Sequence, residues 1–325
     1  VKALPEDRLV LYDKAAEALL FTWDNVKKII DEKFKLSHRQ RFLGKVAFHL
    51  QSIEKGDEAG TMMDRHELYE ILLEDFCKVF GCENWEAKGL VDEFLETIRL
   101  RAGLLVELAP DKFGFAHKTF QEYFAAKWMA DDVILNLDLQ TMIDYVDEFI
   151  DNAFWHETLL LALRALRSKH AQEILEHIIT RDPKGIEIYF YHNHYFVMKF
   201  IAKQGQWLDN KEFVEKQVDD FFKFSWNEGE DRSYYENYTW KRFNDWLSSV
   251  SDSPAGVYLY KKLLSAAEDR TQDGDLRRYC ASAVGQLGHK DKAVDILADL
   301  YLAQPNKTEI EARFIYDSLW ELTVV

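Results

Sequence analysis

The sequence predicts a mostly α-helical protein with a single β-hairpin in its first half and a tandem array of helix pairs after it. Three observations predict this. Apolar side chains recur at helical spacing along nearly all of the 325 residues, which marks amphipathic helices. Only 14 glycines and 5 prolines interrupt them, too few for a protein of many short strands. The period shortens to two in one place, at Leu104–Leu108 and Phe113–Ala116, on either side of a turn at Ala109-Pro110-Asp111-Lys112.

The elements follow in order. Leu4-Pro5-Glu6-Asp7-Arg8 opens a first helix, since proline suits the first helical position and acids complement the helix N-terminus. Leu9, Tyr12, Ala16, Leu19, Leu20 and Trp23 continue its apolar face. Ser37 and Gln40 have the spacing of a capping box for a second helix, with the stripe Phe42, Leu43, Val46, Ala47, Leu50 and Ile53. Residues 54–60 read as a loop. Asp64 and Glu67 can cap a third helix carrying Leu68, Ile71, Leu72, Phe76, Val79 and Phe80. A fourth uses Leu90, Val91, Phe94, Leu95 and Ile98. The hairpin comes next, and a helix resumes at about His117 with Phe120, Tyr123, Phe124 and Trp128 on one face. Helices, a two-stranded wing and a closing helix make a winged-helix arrangement.

Past residue 150 helices alternate with short polar gaps. The expected pairs are 153–167 with 170–180, 187–204 with 210–224, 236–250 with 255–268, and 275–288 with 291–303; a helix at 308–322 has no visible partner. A helix pair recurring every 40 or so residues is the period of HEAT-type repeats. In the clearest unit, Leu276–Gly288, small residues allow close helix approach and Gly288 can end the helix. The expected organisation is a helical segment over 1–60, a winged helix over 61–135 and a HEAT-like α-solenoid over 150–325.

Composition narrows the functional classes. Lysine and arginine total 41 against 57 acids, a net charge of −16, which disfavours a broad nucleic-acid or anionic-membrane surface. The strongest basic patch is short: Arg39, Arg41 and Lys45. No apolar run reaches the ~20 residues of a membrane span, and Lys2 is followed by acids rather than by a signal-peptide core. Cys77, Cys82 and Cys280 form no disulfide framework and fit a reducing cytosol; the first two read as core packing rather than as half of a metal site. His192-Asn193-His194 lies in an aromatic helical run and lacks the ligand set of a zinc nuclease. The fourth helix stands where a winged helix reads DNA, yet it mixes Lys88, Arg99 and Arg101 with Glu86, Asp92, Glu93 and Glu96. Tyr189–Trp246 is dense in aromatic rings, and Glu228–Tyr235 reads as a polar insertion suited to binding a partner. The first residue is Val, so the chain reads as an excised fragment.

Two segments resemble the NACHT family of signal-transduction ATPases. One is Leu4-Pro5-Glu6-Asp7-Arg8-Leu9-Val10-Leu11-Tyr12 with Trp23-Asp24 downstream, similar to the Leu-Pro-x-x-Arg-x-x-Leu-Tyr stretch of the family's first helical domain. The other, Phe113-Gly114-Phe115-Ala116-His117-Lys118-Thr119-Phe120-Gln121-Glu122-Tyr123-Phe124-Ala125-Ala126, is similar to the Phe-x-His-x-(Thr/Ser)-Phe-Gln-Glu-(Tyr/Phe)-Phe-Ala-Ala motif. Together they cover roughly residues 1–132. The phosphate-cradling Gly-x-x-x-x-Gly-Lys-(Ser/Thr) loop occurs nowhere in the chain; in the family it lies upstream, as does the adenine-side proline, for which Pro5 is not a substitute. No ATPase activity or cofactor is expected of this stretch by itself.

The resemblance implies a site at His117, which in similar proteins contacts the β-phosphate of ADP held by the ATPase core. Exchange of ADP for ATP would loosen that tie. The residues alone leave open a helix-start histidine that contacts its own backbone. Phe120, Tyr123, Phe124, Ala125 and Ala126 read as core, and Gln121 and Glu122 as helix surface or interdomain hydrogen-bonding groups. The implied function is the regulatory, sensor-proximal part of a cytoplasmic NACHT ATPase. Its implied partners are the upstream core and a protein trigger bound by the repeats, and many bacterial relatives act in antiphage defence. Rival readings are a free-standing helical-repeat scaffold and a winged-helix transcription regulator.

Overall fold

The computed structural model describes residues 8–22, 33–53, 62–136, 138–181, 192–204, 210–225, 236–251 and 253–302. It divides into two compact units, residues 1–174 and 175–325. In the first unit α1 (Arg8–Glu17) runs into a π-helical turn at Ala18–Thr22, and α2 is Leu36–Ile53. After β1 (Met63–Asp64) come α3 (Arg65–Phe80) and α4 (Asn84–Thr97), a second π-turn at Ile98–Ala102, then β2 (Leu105–Ala109) and β3 (Lys112–Phe115). The unit continues through α5 (Lys118–Asn136), α6 (Leu139–Phe149) and α7 (His156–Ala165). The three-stranded antiparallel sheet has the order β1-β3-β2. Helix, strand, two helices and a hairpin folded back on the first strand make a winged helix, as the sequence predicts.

Its junctions are set by local chemistry. Asp64 pairs with Lys112 in the sheet and also caps α3: its carboxylate accepts the Glu67 N–H at 2.9 Å, and Glu67 accepts the Asp64 N–H at 2.6 Å. This is the expected capping box, and it ties the wing to the helix it precedes. At the hairpin turn Asp111 takes φ 58°, a left-handed conformation that Asp tolerates better than most residues. Glu107 steadies the turn by accepting the Asp111 N–H at 2.8 Å, beside a register shift between Glu107 and Ala109. Arg65 clamps the assembly, donating to Asp111 at 2.9 Å and to Asp92 of α4 at 2.8 Å, with its guanidinium 5.0 Å from the Phe113 ring.

Aromatic rings fill the space enclosed by α2, α3 and α4. Phe42 stacks on Phe76 at 4.1 Å between centroids, and Phe34 meets both Phe76 and Phe94 edge-on; all four are buried. On its other side α2 lies against α5 across Gly44. A Cβ there would stand 3.3 Å from the Phe124 carbonyl oxygen and 3.3 Å from the Trp128 Cβ, so only glycine gives this approach without a shift.

Several expectations need correcting. Helix α2 starts at Leu36, so Ser37 lies inside its first turn rather than at the cap. The basic patch is reduced, with one member buried and the other two sharing an acid. Arg39 is buried, donating to the Phe34 carbonyl at 2.8 Å and to the Leu20 carbonyl of the π-turn, while Arg41 and Lys45 both pair with Asp75, at 3.2 and 2.5 Å. Cys77 and Cys82 are half-buried at a helix end rather than in the core. Strand β1 and helix α6 were not anticipated. A two-residue strand has no readable period, and α6 shows only Met142 and Val146 as buried residues.

Helix α8 (Ser168–Thr180) crosses the division between the units. The second unit holds α9 (His192–Gln204), α10 (Lys211–Ser225), α11 (Glu236–Val250), α12 (Pro254–Glu268), α13 (Gly274–Gln286) and α14 (Lys290–Leu302). These are the helices expected for three successive pairs. Packing runs between successive and next-but-one helices, with α13 against α14 and α9 against both α10 and α11. The Trp246 indole donates to the Met198 carbonyl at 2.7 Å, pinning α11 to α9 beside buried Phe196, Phe200, Phe221 and Phe243. Gly288, at φ 94°, follows α13 as expected. The polar insertion Glu228–Tyr235 and the helix expected at 308–322 lie outside the described residues.

Two measurements check this packing. Gly44→Leu should destabilise the first unit by about 1–3 kcal/mol through overpacking, read as a lower urea midpoint. His38 gives a pH dependence. Its Nδ1 is enclosed without a partner, and burial, then Lys35, holds its pKa below the ordinary 6.5. The folded state therefore disfavours the imidazolium, so the contribution is whole above the ordinary value and is lost as pH falls toward the folded one. The urea midpoint should drop between about pH 7.5 and about pH 5.5 more in the parent than in His38→Phe.

Candidate functional site

The site is assembled where the wing hands over to α5. Strand β3 ends at Phe115, and the next N–H, that of Ala116, donates to the Leu104 carbonyl at 2.9 Å, fixing the exit of the hairpin. His117 follows and Lys118 begins the helix. The His117 carbonyl accepts the N–H groups of Phe120 at 3.0 Å and Gln121 at 3.4 Å, so His117 is the flanking residue at the helix start. His117, Lys118 and Thr119 are all exposed. The Lys118 ammonium lies 4.3 Å from the centroid of the Phe154 ring. An exposed imidazole and an ammonium at the positive end of a helix dipole suit an anion.

The rest of the motif anchors this corner. Phe115 and Phe124 meet at 5.9 Å, and Tyr123, Phe124, Ala125 and Ala126 are buried. Helix α1 lies on the same helix: Tyr12 contacts Phe120 edge-on at 6.0 Å and Tyr123 at 5.8 Å. The Tyr123 hydroxyl donates to Asp13 at 2.5 Å, and Lys127 stands 3.8 Å from the same carboxylate. Burial, reinforced by the negative Asp13, pushes the Tyr123 phenol well above its ordinary range and keeps it a donor. The two resembling segments are thus in contact through Tyr12, Phe120 and Tyr123. Residues 1–7 and 23–32, which include Leu4-Pro5 and Trp23-Asp24, lie outside the described residues.

Of the two readings open for Gln121, helix surface or a hydrogen-bonding group, the structure has the second. Gln121 is buried, and its amide donates to the Gln51 side chain of α2 at 2.9 Å; Gln51 in turn donates to the Phe154 carbonyl at 2.9 Å. This relay joins α5, α2 and the segment that leads into α7. The only available signal was the i, i+3 spacing of Gln121 from Phe124 and its i+4 spacing from Ala125, which sets it on the apolar face.

Elsewhere the surfaces suit other chemistry poorly. Asn84–Thr97 carries Glu86, Asp92, Glu93 and Glu96 against Lys88, and Arg99 just beyond is held by Glu96 at 2.9 Å. That balance opposes phosphate contacts from α4. Among the described residues no His, Cys, Asp and Glu group could hold a metal ion, and His192 and His194 begin α9 without forming one. Also among them, no helix is long and apolar enough to cross a membrane.

A family model described as a winged helix-turn-helix domain C-terminal to NACHT matches residues 8–129. No curated protein and no solved structure gives a significant match. The matched stretch covers α1 through most of α5 and takes in the whole His117 corner.

The relay beneath the corner is testable. Gln121→Leu leaves the buried Gln51 oxygen without this donor, which should cost about 1–3 kcal/mol of stability. A urea midpoint equal to the parent's would show that the relay contributes nothing.

Proposed function

From the premise that the chain carries a winged helix domain of the type found C-terminal to NACHT, we propose that it is the regulatory, sensor-proximal part of a NACHT signalling ATPase. A domain of this type is not itself a catalytic ATPase domain. The chemistry of nucleotide hydrolysis belongs to the upstream core, and this chain restrains that core while ADP is bound. His117 is the contact: its imidazole donates to the β-phosphate of ADP held by the core, with α5 holding the ring in place. Protonation strengthens such a bond.

The observation that carries the reading is the position of His117. It is exposed at a helix start together with Lys118 and Thr119, while Tyr123, Phe124, Ala125 and Ala126, one to two turns further along the same helix, are buried and fix where that start lies. A side chain kept at a fixed point on the surface can reach a ligand in a neighbouring domain at little entropic cost. The helix pairs of the second unit read as HEAT-like repeats that bind a protein trigger and bias the tie. The setting is the cytoplasm, and antiphage defence fits the bacterial relatives this chain resembles.

The test uses the protein with its native upstream core. A hydrogen bond to a charged group contributes about 1.5–3 kcal/mol, so His117→Ala should speed release of a fluorescent ADP roughly 10- to 100-fold. Because His117 is exposed, the thermal midpoint of the nucleotide-free protein should not move. Unchanged ADP release in a folded variant would remove His117 from the site.

A further inference from the structure

The turn that joins α3 to α4 brings two thiols together. Gly81 ends α3 in the left-handed conformation, φ 63°, and its N–H donates to the Cys77 carbonyl at 2.9 Å. In helix ends of this kind the side chain one turn before the glycine meets a residue at or just past it. Here those side chains are Cys77 and Cys82. Both are half-buried and therefore reachable from solvent. The Cys77 thiol donates to the Asn84 side chain at 3.3 Å, and the Cys82 thiol reaches the Phe76 carbonyl at 4.0 Å.

The third cysteine provides the contrast. Cys280 is fully buried and pushed up to about 12 by burial alone. Cys82 is raised by burial and then by the Cys77 thiol beside it. Among the described residues no third ligand completes a metal site around the pair.

We propose that Cys77 and Cys82 form a dithiol that closes to an intramolecular disulfide when a small-molecule disulfide oxidant, such as glutathione disulfide, reaches this turn. One cysteine thiolate attacks a sulfur of the oxidant, forming a mixed disulfide and releasing one small thiolate. The second cysteine then loses its proton and attacks the protein sulfur of the mixed disulfide, expelling the other small thiolate. The two cysteine sulfurs are oxidised, the oxidant is reduced to two thiols, and both protons end on those thiols. The new bond staples the end of α3 to the start of α4 and removes the donor that Asn84 has in the reduced form.

The test uses the whole chain. Folded protein is incubated with glutathione disulfide, alkylated, digested and weighed, with a parallel sample reduced first. The peptide holding Cys77 and Cys82 should lose two hydrogens and refuse alkylation until reduced, while Cys280 alkylates only after denaturation. Cys77→Ser and Cys82→Ser should each retain glutathione on the remaining cysteine of the pair. Stable glutathione adducts on both cysteines of the parent would overturn the proposal, as would disulfide-linked dimers or no reaction at all.

Discussion

The close approach of α2 and α5 at Gly44 is the constraint from which the first unit follows. With a hydrogen where other residues carry a Cβ, α2 comes within van der Waals range of the Phe124 carbonyl and of Trp128. That seats Phe124, Met129, Ala130 and Val133 in the interior, each large side chain contributing about 1.5–3 kcal/mol on burial. The opposite face of α2 presents Phe42 to Phe76 and Phe94. One helix therefore serves two cores, the winged helix on one side and α5 on the other. His117 inherits its position from this arrangement, since the hairpin exit is pinned through Leu104 and the helix start through Phe120 and Gln121.

Electrostatics follow the same economy. In a chain of net charge −16, several cations of the winged helix are engaged by carbonyls or by acids. Arg39 satisfies carbonyls at the π-turn, Arg41 and Lys45 share Asp75, and Arg65 joins the wing to α4. The corner at His117 and Lys118 keeps exposed nitrogen donors at a helix start, which favours a single anionic contact over a broad charged surface.

Much of this was legible in the residues. The capping box at Asp64 and Glu67, the hairpin turn at Pro110-Asp111 and the glycine after α13 each depend on neighbours in sequence, and each is found as expected. What depended on partners distant in sequence was not legible. Ser37 has the letters of a cap, but the chain enters α2 one residue earlier, where Arg39 can reach Phe34 and Leu20. For Gln121 the residues left helix surface and a hydrogen-bonding role both open, because its partner Gln51 lies 70 positions away. The half-exposed thiols at Cys77 and Cys82 lie in an apolar run whose burial ends with the helix, and the sequence marks that end only by Gly81.

Native-state hydrogen exchange on the whole chain tests the central constraint most directly. If α5 is held by α2, amides from Phe120 to Ala130 should exchange only when the first unit unfolds as a whole, in step with those of Phe42 to Leu50 and far more slowly than those of the β2–β3 turn. Exchange of the α5 amides through local opening, at rates like the turn's while α2 stays protected, would contradict the account.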